Sequence, residues 1–400
     1  MRVLVSSAYF ESHRGGIEIV AGQLAREFRS LGHSVSWLAA DASSSPPGIS
    51  SASQAIPLRA SNASERWLNI PLPIPGLSAF RIIKREVACA DVVLLHDALY
   101  PAHMLALILA QRHSKPVVLT QHISAIPYHN RALRLLMRAM NRLLARPMLA
   151  GADQVVFISK RTAKDFQDVK YRRPPRIIFN GVDTEIFRPA RDAAEKVQAR
   201  RHFGLAQHRP VALFVGRFVE KKGLELLREA ARLGTEIDWV FAGWGGLDPS
   251  KWALANVFVF YGLTQTSLAP LYRASDAFVL PSRGEGLPLV LQEAMACGLA
   301  SVLNAETVAA DDRLDGLVHP VVLDPGNTLT SAATILRAVR VALARNRPEQ
   351  CQQRFEAMRA WYSWPAAARH YQAIFERIMD DRRIPKHAIA HPRPSAGARP

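Results

Sequence analysis

The stretch VALFVGRFVEKKG, residues 211–223, shows how this chain is built. Its apolar, β-branched start predicts a buried strand over Val211–Val215, and the residues from Gly223 to Leu233 have helical spacing. The loop between strand and helix carries Arg217 and Lys222. We expect these two cations to converge at the helix N-terminus, where free backbone amides also attract an anion. The stretch therefore predicts a diphosphate site at the end of a strand.

Strands and helices are predicted to alternate in this way through both halves of the chain, which is typical of parallel α/β sheets. The polar segment Arg188–Arg209 predicts a hinge, so we expect two doubly wound domains facing a cleft. The Ser- and Pro-rich residues 42–76 are predicted to be an irregular loop region, and residues 384–400 a disordered tail. The other predicted strands are Arg2–Ser7, Ser34–Ala39, Val92–His96, Pro116–Thr120, Gln154–Ile158, Arg176–Phe179, Asp238–Ala242, Asn256–Phe260 and Ala277–Pro281. The other predicted helices are Ile17–Leu31, Asn130–Leu149, Ser267–Ala274 and Pro288–Cys297, with two or three more after about Pro325.

The composition excludes several classes of protein. With 400 residues, of which 49% are hydrophobic and 21% charged, the chain is not predicted to be disordered or collagen-like. Its three cysteines are too few and too scattered for a disulfide framework or a zinc site. No signal peptide or membrane-spanning segment is recognised, so we expect a cytoplasmic protein. The formal net charge of +17 favours anionic partners.

Two more motifs follow predicted strands. Glu285 lies in the loop PSRGEGLP, residues 281–288, and Glu293 lies eight positions further on, in the next helix. The two carboxylates are expected to bracket one ligand, as acidic side chains do with sugar hydroxyls. Near the N-terminus, Gly15 and Gly16 allow the backbone to approach a ligand before a helix. This pair is not a G-x-G-x-x-G fingerprint, so the sequence gives a nicotinamide dehydrogenase little support.

Taken together, these motifs resemble those of the group 1 (family 4) retaining glycosyltransferases. The resemblance rests on Gly15-Gly16, Asn180-Gly181-Val182-Asp183, Gly216-Arg217 with Lys222-Gly223, and the E-x(7)-E pair Glu285 and Glu293, in this order along most of the chain. It implies the GT-B fold, with two Rossmann-like domains facing a cleft and a last helix that crosses back to the N-terminal domain. On this basis we predict an acceptor-side domain over residues 1–187, a donor domain over 188–360 and a crossover helix over 361–383.

The resemblance also implies roles for single residues. Arg217 and Lys222 would hold the donor diphosphate and stabilise the leaving nucleotide, Glu293 would bind the ribose hydroxyls, and Glu285 would lie near the transferred sugar. His122 matches a histidine that the family places near the donor sugar, and His96 is a weaker, acceptor-side candidate. The residues expected to surround the sugar and the phosphates are Gly286, Leu287, Pro288 and Leu289, together with the Gly15-Gly16 loop, which would close over the phosphates.

The chain departs from the family pattern in one segment. Family members usually have a glycine-containing loop with an acidic residue after the strand that follows the E-x(7)-E helix. Residues 301–312 here read SVLNAETVAADD and contain no glycine. The donor pocket is therefore expected to differ at this segment, which leaves the identity of the sugar open.

The predicted function is that of a retaining, metal-independent glycosyltransferase without a cofactor. No D-x-D motif lies at a strand end, so no metal site is predicted. The enzyme would move a sugar from a UDP- or GDP-sugar to a glycan or lipid-linked acceptor in the synthesis of cell-surface polysaccharide, lipopolysaccharide or glycolipid. A sugar-nucleotide epimerase on the same scaffold and a non-catalytic GT-B binding subunit remain alternatives.

Five arginines repeat at helical spacing in the first half of the chain. At about 100° per residue they form one basic stripe, with leucines and methionines mostly opposite. One interpretation is a helix that rests on anionic lipid at the inner face of the plasma membrane, and the other is a solvated arginine face. No platform of aromatic and basic residues indicates a nucleic-acid partner. The arginines are Arg131, Arg134, Arg138, Arg142 and Arg146.

Overall fold

The computed structural model describes residues 1–13, 16–40, 53–61, 72–123, 131–283 and 285–383. Contacts divide the chain into two compact units. The first comprises Met1–Val156, Asp168–Arg176 and Ala368–Pro400, and the second comprises Phe157–Gln167 and Ile177–Ala367. The predicted domain boundaries stay predictions, and the tail predicted over 384–400 lies outside the described residues.

The first unit is built on a seven-stranded sheet with the order β3-β2-β1-β6-β7-β8-β9. Its central strands are almost completely buried and rich in Val and Leu, as is expected of parallel strands that are covered on both faces. The registered strand pairs in this sheet are parallel. The strands are β1 (Arg2–Tyr9), β2 (Ser34–Ala40), β3 (Ser53–Leu58), β6 (Val92–His96), β7 (Val117–Gln121), β8 (Gln154–Phe157) and β9 (Arg176–Ile177), with β4 (Ala60–Ser61) and β5 (Ile74–Pro75) forming a separate antiparallel pair.

The last helix of the chain supplies part of the core of this unit. Tyr371 is buried, and its hydroxyl lies 2.9 Å from Thr120 Oγ1 on β7. Near the end of the same helix, Arg382 binds both carboxylate oxygens of Asp153 at 2.8 Å. The helices of this part of the chain are α1 (Gly16–Ser30), α2 (Leu77–Cys89), α3 (Pro101–Arg112), α4 (Arg131–Met140), a π-helical turn (Asn141–Ala145), α5 (Arg146–Gly151) and the last helix, α14 (Trp364–Arg383).

The second unit contains a six-stranded sheet with the order β12-β11-β10-β13-β14-β15, and its registered pairs are all parallel. The strands are β10 (Val211–Arg217), β11 (Asp238–Trp244), β12 (Val257–Phe260), β13 (Ala277–Leu280), β14 (Ala300–Asn304) and β15 (His319–Val321). The helices are α6 (Lys160–Lys164), α7 (Ala193–His202), α8 (Leu224–Leu233), α9 (Gln265–Ala274), α10 (Leu289–Ala296), α11 (Ala305–Val308), α12 (Thr328–Arg345) and α13 (Pro348–Trp361).

Three sequence-based assignments need correction. Within the stretch 42–76, predicted to be irregular, Ser53–Leu58 pairs with β2 as an edge strand. The sequence pattern did not reveal this strand because it contains Pro57, although proline is tolerated at a sheet edge. Residues 301–304, predicted to belong to a loop, lie in β14, which is buried between β13 and β15. The strand predicted over Arg176–Phe179 is only two residues long.

The order of strands locates one candidate site in each unit. In both sheets the chain first builds outward in one direction and then returns to the other side of the first strand. This reversal lies between β1 and β6 in the first sheet and between β10 and β13 in the second. Ligands of open parallel sheets bind at such switch points, beyond the carboxyl ends of the strands.

Candidate functional site

The turn after β10 brings its cations close to the neighbouring strand β13. A one-turn 3₁₀ helix, Glu220–Lys222, is followed by Gly223, which has a φ of 75°. A Cβ atom on Gly223 would lie 2.9 Å from Pro281 Cγ and 3.1 Å from the Pro281 carbonyl oxygen. Only glycine combines this positive φ with such a close approach at low cost. The turn therefore packs directly against the end of β13.

Lys222 and Glu285 meet across this contact. Lys222 Nζ lies 3.1 Å from Glu285 Oε1, and the two side chains are only 12% and 17% exposed. Lys221 lies 3.7 Å from the same oxygen, but its side chain is 54% exposed. A backbone hydrogen bond from Arg283 to the Lys221 carbonyl joins the two loops. The structure thus brings together two of the predicted residues, and it pairs the cation with the carboxylate.

Arg217 ends β10 at the same edge of the sheet. It is exposed, and among the described residues no ion pair engages its guanidinium. Lys222 Cε lies 3.9 Å from the position that a Cβ would take on the adjacent Gly216. Two cations therefore lie beside one strand end, where a diphosphate would be held by charge and by hydrogen bonds.

Glu293 is placed differently from Glu285. It lies on α10, is buried, and accepts a hydrogen bond of 2.9 Å from the Tyr272 hydroxyl. Burial raises the pKa of Glu293 to about 7, and the bond from Tyr272 opposes this rise. The helix and Tyr272 fix this carboxyl. That Glu285 and Glu293 bracket one ligand stays a prediction.

The glycine-containing loop between the two glutamates packs against another segment of the second unit. A Cβ on Gly286 would lie 3.0 Å from Ser159 Cβ, so a larger residue would push Ser159 away. Leu287 and Pro288 are half-buried, Leu289 is exposed, and Gly284 lies outside the described residues.

The glycine-free segment 301–312 is held by internal contacts. Asp311 Oδ2 accepts a 2.6 Å hydrogen bond from the Tyr362 hydroxyl and a 2.5 Å bond from Arg313. Arg313 also stacks over the Tyr362 ring, 4.8 Å from its centroid. The carboxylate of Asp311 is therefore engaged within the protein.

In the first unit, the predicted histidines contact each other at the switch point. His96 Nδ1 lies 2.9 Å from His122 Nε2, and Asp97 Oδ1 accepts hydrogen bonds from the backbone N–H groups of His122 and Ile123. Burial lowers the pKa of His122 to about 3, and burial together with the neighbouring imidazoles of His122 and His103 lowers the pKa of His96 well below its usual value. Both imidazoles are therefore neutral at pH 7, and one donates its proton to the other.

Gly16, the other prediction at this switch point, begins α1. Apart from its chain neighbours and the backbone of its own helix, no atom of the described residues lies within 4 Å of the position a Cβ would take. Its neighbour Gly15 lies outside the described residues. The space beside Gly16 is compatible with close approach by a ligand, but the predicted closure over phosphates stays a prediction.

Sequence reasoning missed three supporting residues: Asp97, Tyr272 and Ser159. Asp97 has a φ of 74°, unusual for a residue with a side chain, and burial raises its pKa to about 7. Its position directly after a buried apolar strand was a signal that could have identified it. Nothing in the local sequence indicated that Tyr272 would bind Glu293 or that Ser159 would lie against Gly286.

The basic stripe is only partly described. Arg138 and Arg142 are exposed, and so are the apolar side chains of Leu135 and Leu143, each at 69%. Arg146 instead forms a 2.9 Å ion pair with Asp168. The side chains of Arg131 and Arg134 lie outside the described residues.

The described residues lack two kinds of feature. None of the described helices has the length and apolar character needed to span a bilayer. In the same residues, no three side chains of His, Cys, Asp or Glu gather as metal ligands would.

Two family models match the chain. The model described as Glycosyltransferase Family 4 matches residues 14–186, and the model described as Glycosyl transferases group 1 matches residues 209–340. The first match contains the histidine pair, and the second contains Arg217, Lys222, Glu285 and Glu293.

Curated relatives match over parts of their length. A D-inositol 3-phosphate glycosyltransferase of Mycobacteroides abscessus is 32% identical over 187 residues, covering 42% of this chain and 41% of the relative. A glycogen synthase of Halorhodospira halophila is 28% identical over 276 residues, covering 58% and 57%. The chain thus spans about half the length of the curated relatives it matches.

Solved structures match over nearly the whole chain. Sucrose-phosphate synthase from Thermosynechococcus elongatus has a TM-score of 0.64 at 19% identity, covering 95% of this chain and all of that structure. Anabaena HepE in complex with UDP and glucose has a TM-score of 0.63 at 15% identity, covering 94% and 99%. At these identities the likeness concerns the fold, which is the predicted arrangement of two parallel-sheet α/β domains.

Proposed function

Because the chain belongs to the group 1 glycosyltransferases and has the GT-B fold, we propose that it transfers a sugar from a nucleotide-sugar to an acceptor hydroxyl with retention of configuration. The observation that carries this proposal is the ion pair between Lys222 and Glu285, at the switch point of the second sheet and beside Arg217. A cation for phosphate and a carboxylate for hydroxyls are the groups that a nucleotide-sugar requires.

The donor diphosphate would bind between Arg217, Lys222 and the backbone at the start of α8. On binding, Lys222 exchanges its contact with Glu285 for one with phosphate, and Glu285 becomes available to the sugar. Glu293, held by Tyr272, would receive the ribose hydroxyls. UDP is the first nucleotide to test, because the HepE structure was solved with UDP and glucose, and GDP is the second.

In the reaction, the bond between the sugar C1 and the phosphate oxygen breaks, and its electron pair leaves with the nucleoside diphosphate. The acceptor oxygen attacks C1 on the same face, and its proton passes to the departing phosphate oxygen. Arg217 and Lys222 contact the charge that grows on the leaving group, so they bind the transition state more tightly than the ground state. The proposed chemistry uses these side chains in place of a metal ion.

The acceptor side would be formed by the first unit. His122 and His96 are neutral, and His122 Nε2 is engaged with His96, which leaves His122 Nδ1 for the sugar. The exposed Arg138, Arg142, Leu135 and Leu143 support an acceptor presented at an anionic membrane, such as a lipid-linked glycan in cell-surface polysaccharide or lipopolysaccharide synthesis. Such an enzyme would act at the cytoplasmic face of that membrane.

The proposal is tested by thermal shift of the purified chain with UDP, GDP and ADP, followed by turnover of the matching sugars with glycan and lipid-linked acceptors. We expect one nucleotide to raise the melting temperature, because a ligand of the folded state stabilises it. NMR of the product should show the anomeric configuration of the donor. Arg217→Ala should abolish most turnover. Arg232→Ala should not, because Arg232 is an exposed arginine at the end of α8.

Other outcomes would overturn parts of the proposal. Inversion at C1 would contradict retention. Isomerisation of the donor without an acceptor would indicate an epimerase, and tight donor binding without turnover or hydrolysis would indicate a binding subunit. If no nucleotide changes the melting temperature of the chain, the proposed donor site itself is contradicted.

A further inference from the structure

A second cationic site lies at the amino edge of the second sheet, opposite the edge that holds Arg217. It is a cavity of about 140 Å³ between the start of β15, the end of α12 and the first turns of α13. Its polar lining consists of His319, Arg345, Gln350, Gln353 and Arg354, and it includes no acidic residue.

Arg354 is the buried cation in the lining of this cavity. It is only 4% exposed, yet none of the ion pairs among the described residues involves it. Its hydrogen bonds run to uncharged oxygens, at 2.6 Å to Asn346 Oδ1 and at 3.4 Å to the Gly298 carbonyl. A guanidinium has five N–H donors, so most of them remain for another acceptor. A buried charge without a counter-charge is costly, and an anion would offset that cost.

Among the neighbouring side chains Arg345 adds positive charge, and none in the lining carries a negative charge. The pKa of His319 is lowered by burial and further by the charges of Arg354 and Arg345. Arg345 lies at the end of α12 and takes part in no ion pair in the described part of the chain. Gln350 and Gln353 supply amide N–H groups within the first two turns of α13, the positive end of that helix.

The size of the cavity limits what it can hold. At about 140 Å³ it is smaller than the usual pocket for a drug-sized ligand. Nucleotide-sized ligands need pockets of about 300–1,000 Å³. We propose that this cavity binds the phosphate group of a small phosphate monoester, with Arg354 and Arg345 as its charged contacts.

The position of the site links it to the donor side without sharing residues with it. Arg354 donates to the carbonyl of Gly298, two residues after the end of α10, the helix that carries Glu293. A bound phosphate would hold Arg354 and so stabilise the turn that ends α10. Binding at this cavity does not depend on the proposed transferase activity.

The test measures phosphate binding in the full chain by calorimetry and melting temperature, at constant ionic strength. Inorganic phosphate and a hexose phosphate are the two probes, with chloride as the reference. All measurements use the Arg217→Ala background, so that phosphate bound at the donor site does not contribute. We expect saturable binding of at least one probe, with a matching rise in melting temperature.

Arg345→Gln should weaken this binding about tenfold or more, because it removes one of two charge-assisted contacts. Arg337→Gln is the matched control, since it removes the same charge from an exposed position of the same helix, and it should bind like the parent. Arg354→Met should abolish binding if this variant folds. If the Arg354→Met variant does not fold, the affinity of Arg345→Gln decides the question. Equal affinity of the Arg345 and Arg337 variants, or no saturable binding of either probe, would overturn the proposal.

Discussion

Lys222 Nζ lies 3.1 Å from Glu285 Oε1, and the two residues follow β10 and β13, the strands between which the order of the second sheet reverses. The ammonium group and the carboxylate balance each other's charge. Because both side chains are mostly buried, their attraction is screened less than that of a surface pair. Lys222 is therefore held in place by Glu285 in the absence of a ligand.

Replacing this lysine should affect turnover far more than replacing its neighbour. We expect Lys222→Ala to lower kcat by about 10²–10³-fold, the range for removing one preorganised contact to developing charge. Lys221→Ala is the control, because Lys221 is more exposed and lies further from Glu285. Steady-state kinetics with the donor found by thermal shift would measure both. Equal losses would show that only general positive charge matters at this loop.

Gly223 should be more sensitive to alanine than another glycine with a similar backbone. Gly204 has a φ of 66° with open space around it, whereas Gly223 has a φ of 75° and a close contact with Pro281. Gly204→Ala should cost about 1–2 kcal/mol through its φ alone. Gly223→Ala should cost about 1–3 kcal/mol more through overpacking. Urea unfolding measures both, and similar losses would contradict the tight contact with Pro281.

Glu293 should make stability depend on pH. Its pKa is about 7 in the folded chain, against an ordinary value of 4.5, so between these values the folded state keeps a proton that the unfolded state releases. The free energy of unfolding should therefore fall as the pH rises through this window, by at most about 1.4 kcal/mol per pH unit from this group. Glu293→Gln should remove that contribution, so its stability relative to the parent should improve from pH 4.5 to 7. A pH-independent difference would contradict the raised pKa.

His96 should act on the reaction through His122. In His96→Phe, His122 Nε2 loses its partner, so we expect a mixture of tautomers and a fall in kcat of about tenfold. The ¹⁵N shifts of the His122 ring report the tautomer, a readout that a general loss of stability would not move. His113→Phe, at an exposed position, is the control. An unchanged His122 tautomer would exclude this positioning role.

The basic stripe should affect binding to anionic membranes. Arg138→Gln/Arg142→Gln should weaken co-sedimentation with anionic vesicles about 30-fold at low salt, at about 1 kcal/mol per arginine. Arg201→Gln/Arg337→Gln removes the same charge from exposed positions elsewhere. If both double variants bind vesicles equally, or if the parent does not bind them, the membrane contact is ruled out.

The sequence by itself determined the alternation of strands and helices. Through the resemblance of its motifs to the group 1 glycosyltransferases, it also predicted the GT-B architecture and the candidate site residues. The alternation could be predicted because parallel strands buried on both faces are continuous apolar runs. The motifs could be recognised because glycines and cations at strand ends form local sequence patterns. The sequence did not reveal the edge strand Ser53–Leu58, whose position at the sheet edge tolerates a proline.

Only the tertiary structure decided how those residues are paired. The ion pair of Lys222 with Glu285, the bond from Tyr272 to Glu293 and the contact between His96 and His122 each join residues from separate segments. The same holds for Arg354, whose burial without a carboxylate depends on how α13 packs near Gly298. Such contacts depend on long-range packing, which leaves no periodic signal in the local sequence.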